Sequence, residues 1–326
     1  GTLIMKKVVD AETASYANEE SQWQKLHFES TLNYDRAFGD HRVGGLVYYY
    51  MSSYHNTWCD IDDHGFNCND GSHNIPKRYQ GLSGRVTYGF RDTYMVDLNF
   101  GYTGSENFQK GRRFGFFPSV ALGWVPTNYD FVRETLPWLS FLKIRGSWGS
   151  VGNDRITNKR FPYLTIMNEN ANRGWNGSNA ISEKSVGADN LQWEKATKLD
   201  LGIEGKLFNE KVDFTVDFFR DTRNNIFQQR TMVPDYIGLA EQPFGNVGSM
   251  VSYGSDGNIS FTHDIGKDFS FTIRGNFTYT ANMVKDWEEA YQKYIYKERA
   301  DKPYEFYAGY VSLGLFRDED DVKFSP

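Results

Sequence analysis

The chain has 326 residues, and its 42 acidic against 36 basic side chains give a formal net charge of −6, the opposite of the basic footprint a nucleic-acid surface needs. It holds no unbroken apolar stretch of the roughly 20 residues that a membrane-spanning helix requires, nor any Gly-Lys-Ser/Thr phosphate loop. A transmembrane β-barrel stays open, since its strands place apolar residues on alternate positions and raise aromatic content, here 17% of the chain with 31 glycines.

The opening segment, Gly1-Thr2-Leu3-Ile4-Met5-Lys6-Lys7, has no apolar signal core with a cleavage site, and residues 1–23 read as an incoming loop or strand remnant of a longer chain. Period-2 alternation then begins. Leu26, Phe28, Leu32 and Tyr34 alternate with His27, Glu29, Thr31, Asn33 and Asp35, which a helix would scatter around its circumference but a strand sorts onto two faces. Strands are expected at about 24–36, 43–54, 78–90, 93–103, 114–125, 140–151, 191–207, 211–222, 251–264 and 268–281. In the last of these, Phe269, Phe271, Ile273, Phe277 and Tyr279 oppose Ser270, Thr272, Arg274, Asn276 and Thr278. Most run past the five or six residues usual in soluble sheets and suit tilted bilayer strands. Tyr48, Tyr49, Tyr50, Trp124 and Trp148 stand where interfacial girdles would lie.

The connections alternate in length. Tight turns are expected at Phe38-Gly39-Asp40-His41, Arg91-Asp92, Phe208-Asn209-Glu210 and Gly266-Lys267-Asp268, while long polar excursions fall at 55–77, 104–113, 152–190, 223–250 and from 282 onward. An up-and-down barrel sorts its loops by parity in this way, short on the periplasmic side and long outside. The 126–139 connection is on the short side yet carries Pro126, Pro137 and a turn of helix. The fold expected is therefore all-β: an antiparallel, up-and-down transmembrane barrel segment of about ten strands spanning 24–281. A soluble two-layer β-sandwich, serving glycan binding or adhesion, is the alternative, because its inner faces would be equally apolar.

Chemistry-bearing residues are sparse. Cys59 and Cys68 either close a loop disulfide in an oxidising compartment or remain two thiols. Asp60, Asp62 and Asp63 mimic the start of a calcium loop, but the position that needs a bidentate Glu is Gly71, so a calcium ion there is a minor expectation. His27, His41, His55, His64, His73 and His263 fall in no catalytic motif, and no enzyme is expected. Loop aromatics beside amides and carboxylates are candidate cargo contacts: Trp58 with Asn56, Trp175 with Asn176, and Tyr236 with Asp235.

From Gly111-Arg112-Arg113-Phe114 through Gly123-Trp124 the sequence resembles the SusC/RagA-like TonB-dependent outer-membrane transporters of Bacteroidetes. The likeness recurs in order at Leu142-Lys143-Ile144-Arg145-Gly146-Ser147-Trp148-Gly149, Leu191-Gln192-Trp193-Glu194-Lys195, Asn225-Ile226-Phe227, Asn246-Val247-Gly248 and Gly314-Leu315-Phe316. Ser252 and Asp256 depart from the family's usual Asn and Glu. Leu191 and Trp193 are expected to start a strand on the apolar phase, with Glu194 and Lys195 at the water boundary. The resemblance implies a 22-stranded barrel, of which this chain is a portion. It further implies import of oligosaccharides or peptides, driven by the TonB-ExbB-ExbD complex through an N-terminal plug, with a SusD-like surface lipoprotein as partner and outer-membrane lipid around the wall. No plug and no closing strand is recognised in the chain, and 282–326 is expected to be an extracellular loop leading into further barrel.

Overall fold

The computed structural model describes residues 18–62, 65–68, 75–155, 161–170, 175–188, 190–266, 268–307, 309–312, 314–317 and 319–324. Thirteen strands are present among them: β1 (Asn18–Phe38), β2 (His41–Asp62), β3 (Gly65–Cys68), β4 (Lys77–Phe90), β5 (Tyr94–Ser105), β6 (Phe114–Trp124), β7 (Leu139–Asn153), β8 (Ile166–Asn170), β9 (Ala180–Ser185), β10 (Glu194–Leu207), β11 (Val212–Gln229), β12 (Phe244–Ile265) and β13 (Phe269–Asp286). Two short helices, α1 (Asp130–Thr135) and α2 (Glu319–Phe324), complete them.

Ten strands form one antiparallel meander in the order β1-β2-β4-β5-β6-β7-β10-β11-β12-β13. They match the ten expected strands, but several run further into the loops: β1 and β2 stay paired as far as Asn18 opposite Ile61, and β11 reaches Gln229. β3 folds back on the far end of β2, and β8 pairs with β9 inside the β7–β10 connection.

Register aligns the alternation of all ten strands. One row reads Tyr34, Gly45, Val86, Leu98, Val120, Trp148, Leu199, Arg220, Tyr253, Ala281. Its one charged member, Arg220, has a stem long enough to carry its charge toward an interface. The neighbouring row on the opposite face reads Asp35, Gly44, Thr87, Asp97, Ala121, Ser147, Asp200, Phe219, Gly254, Thr280. A slip of one residue at any ladder would turn a whole strand inside out, and none occurs across the shared span. Glycines on the apolar face are covered by the ring of their cross-strand partner: a Cβ on Gly84, Gly205 or Gly257 would sit 2.4, 2.5 or 2.7 Å from Phe100, Phe214 or Phe277. The rings restore a smooth apolar surface where the strand lacks a side chain.

At one end the short turns are stitched to each other. Arg91 and Asp92 both take positive φ, as the two central residues of a type I′ turn must, and Thr93 N–H closes that turn on Phe90 O at 3.0 Å. The Arg91 backbone N–H donates to the Asp40 carbonyl at 2.8 Å and its guanidinium pairs with the Asp40 carboxylate at 2.7 Å. Phe208 N–H donates to Trp138 O, and Thr262 N–H to Lys211 O, each at 2.7 Å. The 125–138 connection holds the expected helical turn as α1, with Arg133 Nε donating to Thr127 O at 2.7 Å.

The soluble sandwich is excluded by this architecture. Among the described residues the substantial contacts of the large sheet join neighbouring strands, and no second sheet covers its apolar face. The chain exposes 24469 Å², where a compact soluble monomer of this mass exposes roughly 14000 Å². Leu32, Leu122 and Leu201 stand more than half exposed, which water does not tolerate over so large a contiguous area. The expected interfacial tyrosines divide: Tyr49 shares the apolar phase with Leu82, whereas Tyr48 and Tyr50 face the polar side, opposite Ser83 and Gly81.

A charge on the apolar face should therefore be costly and one on the polar face cheap. Leu201→Arg is expected to destabilise the membrane-inserted receptor by about 2–4 kcal/mol, whereas Asn276→Arg should be near neutral. Urea unfolding in liposomes, followed by tryptophan fluorescence, measures both.

Candidate functional site

The polar face concentrates its chemistry in two places. The first is an ion-pair cluster around Arg145 in β7. Its Nη2 pairs with Asp217 Oδ2 at 2.7 Å, its Nη1 with Asp200 Oδ1 at 3.3 Å, and its Nε with Glu204 Oε1 at 2.9 Å, while Lys143 approaches the same Glu204 oxygen at 3.7 Å. Arg145 and Asp217 are not on adjacent strands. Both are register partners of Gly202 in β10, one from each side. A Cβ at Gly202 would lie 2.2 Å from Asp217 Oδ1 and 2.8 Å from the Arg145 guanidinium carbon, so the missing side chain is what lets the arginine cross over β10. A smaller pair, Arg85 with Asp97, is bidentate, and Asn99 Nδ2 donates to Asp97 Oδ1 at 2.8 Å.

The second place lies on the same face at the long-loop end. Tyr50, Tyr79, Phe117 and Trp193 line a cavity of about 410 Å³ together with Thr103, Ser150 and Asp154. Three of these rings are held in place by close neighbours. Tyr50 stacks on Tyr48 at 5.7 Å and lies against Gly81, where a Cβ would come within 2.4 Å of it. Phe117 occupies the space that side chains at Gly115 and Gly152 would fill, and meets Trp193 edge-on at 5.3 Å. Trp193 stacks on Phe108 at 4.8 Å and donates Nε1–H to Arg113 O at 3.3 Å. Asp154 accepts a hydrogen bond from Ser105 Oγ at 2.7 Å. The Ser150 hydroxyl, on a residue only 5% exposed, has no hydrogen-bond partner among the described residues. Open aromatic faces beside hydroxyls and a carboxylate suit an extended polar ligand with apolar C–H faces.

Behind this cavity the loops share a small core of Phe108, Ala188, Leu191 and Phe227, with Trp193 and Phe244 packed against it. Glu194 is 8% exposed; it accepts hydrogen bonds from the Phe227 backbone N–H at 3.0 Å and from Asn153 Nδ2 at 2.9 Å. Asn246 Oδ1 accepts from Gln192 N–H at 2.8 Å, while its Nδ2 donates to Gln192 O and Asn225 O. This corrects the sequence expectation for Leu191 and Trp193. β10 starts only at Glu194, so both residues precede the strand: Leu191 is buried between loops and Trp193 is half-buried at the cavity, neither on the apolar phase. Glu194 sits inside that packing, not at an open water boundary.

The expected cargo residues lie apart, two of them in β2 and the others in separate connections. Trp175 is 94% exposed and Asn176 has a positive φ of 56°. Tyr236 is 89% exposed on the one-turn helix Asp235–Ile237, with Gln242 Nε2 donating to Asp235 Oδ1 at 3.3 Å. Asn56 is half-buried in β2, and the same strand places Trp58 opposite Ser21. No hydrogen bond or ring contact joins Trp175 to Tyr236 among the described residues. Asp60 and Asp62 belong to β2, Asp63 lies outside the described residues, and the β2–β3 ladder puts Cys59 directly opposite Cys68. Of the histidines, His27 approaches Glu29 at 3.3 Å, His41 meets the Tyr88 hydroxyl at 2.7 Å, and His263 stacks on Phe261 and meets Phe271 edge-on; His64 and His73 lie outside the described residues. Arg145, Tyr50 and Phe117 were not singled out from sequence as site residues. The available signals were a glycine inside a strand and a phenylalanine on a polar phase.

Comparison with known proteins is specific. The family described as TonB dependent receptor-like, beta-barrel matches residues 7–309. TonB-dependent receptor P39 of Formosa agariphila is 25% identical over 91% of the chain and 30% of its own length. TonB-dependent receptor SusC of Bacteroides thetaiotaomicron is 29% identical over 67% of the chain and 22% of its own length. The RagAB peptide importer in its closed-closed state superposes with a TM-score of 0.71 at 22% identity, over 86% of the chain and 32% of the solved one. The chain thus spans less than a third of these relatives.

Gly202→Ala should push Arg145 off Asp217 and cost about 1–2 kcal/mol of stability. Combined with Asp217→Ala it should add little more, since both changes break one interaction. Unfolding of the two single variants and the double variant measures the coupling.

Proposed function

The chain belongs to the TonB-dependent receptor-like β-barrel family, outer-membrane proteins of the SusC and RagA kind, and from that premise we propose that it forms part of the wall of an energised importer of oligosaccharides or peptides. Its apolar face meets lipid and its polar face borders the lumen. The observation that carries this reading is the cavity of Tyr50, Tyr79, Phe117 and Trp193 at the long-loop end of the polar face. There, cargo arriving from outside would meet ring faces for its C–H groups and Thr103, Ser150 and Asp154 for its polar ones. Trp175 and Tyr236, standing almost free in the outer loops, would make the first contacts with cargo or with a SusD-like lipoprotein seated over the mouth.

The Arg145 cluster serves this role by holding the wall polar. Three carboxylates around one guanidinium and one ammonium leave one negative charge in excess, so a passing ligand meets mostly paired charges and a weak negative field. Energy from a TonB-ExbB-ExbD complex would act through a plug region, and the loop-base core would hold the mouth in shape while the plug moves.

Uptake of a fluorescent oligosaccharide and of a fluorescent peptide by cells carrying the intact receptor tests the reading. Deleting TonB should abolish uptake, and Tyr50→Ala with Phe117→Ala should lower it several-fold at unchanged receptor abundance. Uptake that persists without TonB would make the protein a passive pore and contradict the proposal.

A further inference from the structure

The apolar face is not uniformly filled. Near the long-loop end a depression of about 440 Å³ has an apolar floor that includes Leu26, Phe28, Met51 and Phe114, and Arg78 and Arg113 among its lining residues. Four residues further along the same strands, about 13 Å at the strand rise, a second depression of about 290 Å³ is lined by Leu32, Tyr34, Val47, Val86, Leu98 and Phe100. This lower one exists because of Gly45, whose added Cβ would have only the Tyr34 Cβ, at 3.8 Å, within contact distance.

The upper rim carries an unusual charge for a surface of this kind. Arg78 follows the apolar phase of β4, opposite Ser53. Its guanidinium makes no ion pair or hydrogen bond among the described residues, while its backbone N–H donates to Glu106 at 3.2 Å. Arg113 donates Nε–H to Phe108 O at 3.3 Å and makes no other side-chain bond among them. Glu106 is the one carboxylate in the lining, against two guanidinium groups. Arginine on a lipid-facing surface is costly unless it meets an anion or water at the interface, and barrels of this type carry their long loops outside. The guanidinium groups therefore stand at the headgroup level of the outer leaflet, and the second apolar depression lies on the same strands toward the bilayer centre; the two together are called the furrow.

We propose that this wall, formed by β1, β2, β4, β5 and β6, binds a phosphorylated lipid of the outer leaflet, its phosphate on Arg78 and Arg113 and an acyl chain in the furrow over Gly45. Guanidinium is the side chain best matched to phosphate geometry, and the furrow supplies what a free phosphate would not use. The site stands apart from the lumen and does not depend on the cargo.

The intact receptor, placed in phosphatidylcholine nanodiscs doped with monophosphorylated lipid A, tests the site by native mass spectrometry. The wild type should retain the phosphorylated lipid. Arg78→Glu should lower retention roughly tenfold, and Arg78→Lys should lower it by a smaller factor, since the ammonium keeps the charge but loses the planar fork. Gly45→Leu, whose Cβ would meet only the Tyr34 Cβ at 3.8 Å, should lower retention while Arg78 is intact, and inorganic phosphate should not displace the lipid. Equal retention by the wild type, Arg78→Glu and Gly45→Leu would overturn the proposal, as would displacement by inorganic phosphate alone. Heat-modifiable gel migration confirms that each variant is folded. Uptake measured in parallel keeps the outcomes apart, since lipid retention lost with transport preserved bears on this site alone.

Discussion

The structure depends on one constraint: a single-layer sheet must satisfy its backbone hydrogen bonds sideways, between strands, while presenting opposite chemistries on its two faces. Ten consecutive strands meet it only because their alternation is held in phase. The tight turns set that phase, since each fixes which residue of one strand faces which residue of the next. Arg91 and Asp92, both at positive φ, do this for β4 and β5, and hydrogen bonds from one turn to the next keep neighbouring hairpins aligned. With no second layer beneath the sheet among the described residues, ordinary burial contributes little there, and lipid supplies the apolar contact that a second layer would supply in a soluble protein.

The polar face shows how a wall can carry charge without exposing it. Gly202 removes one side chain from the middle strand, and Arg145 then reaches carboxylates on two neighbouring strands at once. The same device recurs with aromatic rings. Tyr50 lies over Gly81, and Phe117 over Gly115 and Gly152, so glycines on this face create the space that fixes the cavity's rings. The wall is patterned by absent side chains as much as by present ones.

How much of this was legible in the sequence differs by level. The ten strands, their short and long connections and the helical turn after Trp124 could be read because period 2 and turn residues are local signals. The family resemblance could also be read, but the reason for its motifs could not. Leu191, Trp193, Glu194, Phe227 and Asn246 are up to 55 residues apart, and only the fold reveals that they make one knot at the base of the loops. Strand phase misplaced Leu191 and Trp193 because alternation continues past the point where pairing begins. Arg145 escaped notice for a related cause: its partners lie on β10 and β11, and no spacing in the sequence records a gap opened by a glycine in between.

The most direct measurement is a cysteine scan along β13 in the intact receptor inserted in membranes, from Thr272 to Tyr279. A small water-soluble maleimide should label positions 272, 274, 276 and 278, whereas probes at 273, 275, 277 and 279 should resist it and be quenched by brominated lipid. Equal labelling of both sets, or the reverse pattern, would contradict the assignment of the apolar face to lipid and of the polar face to an aqueous lumen.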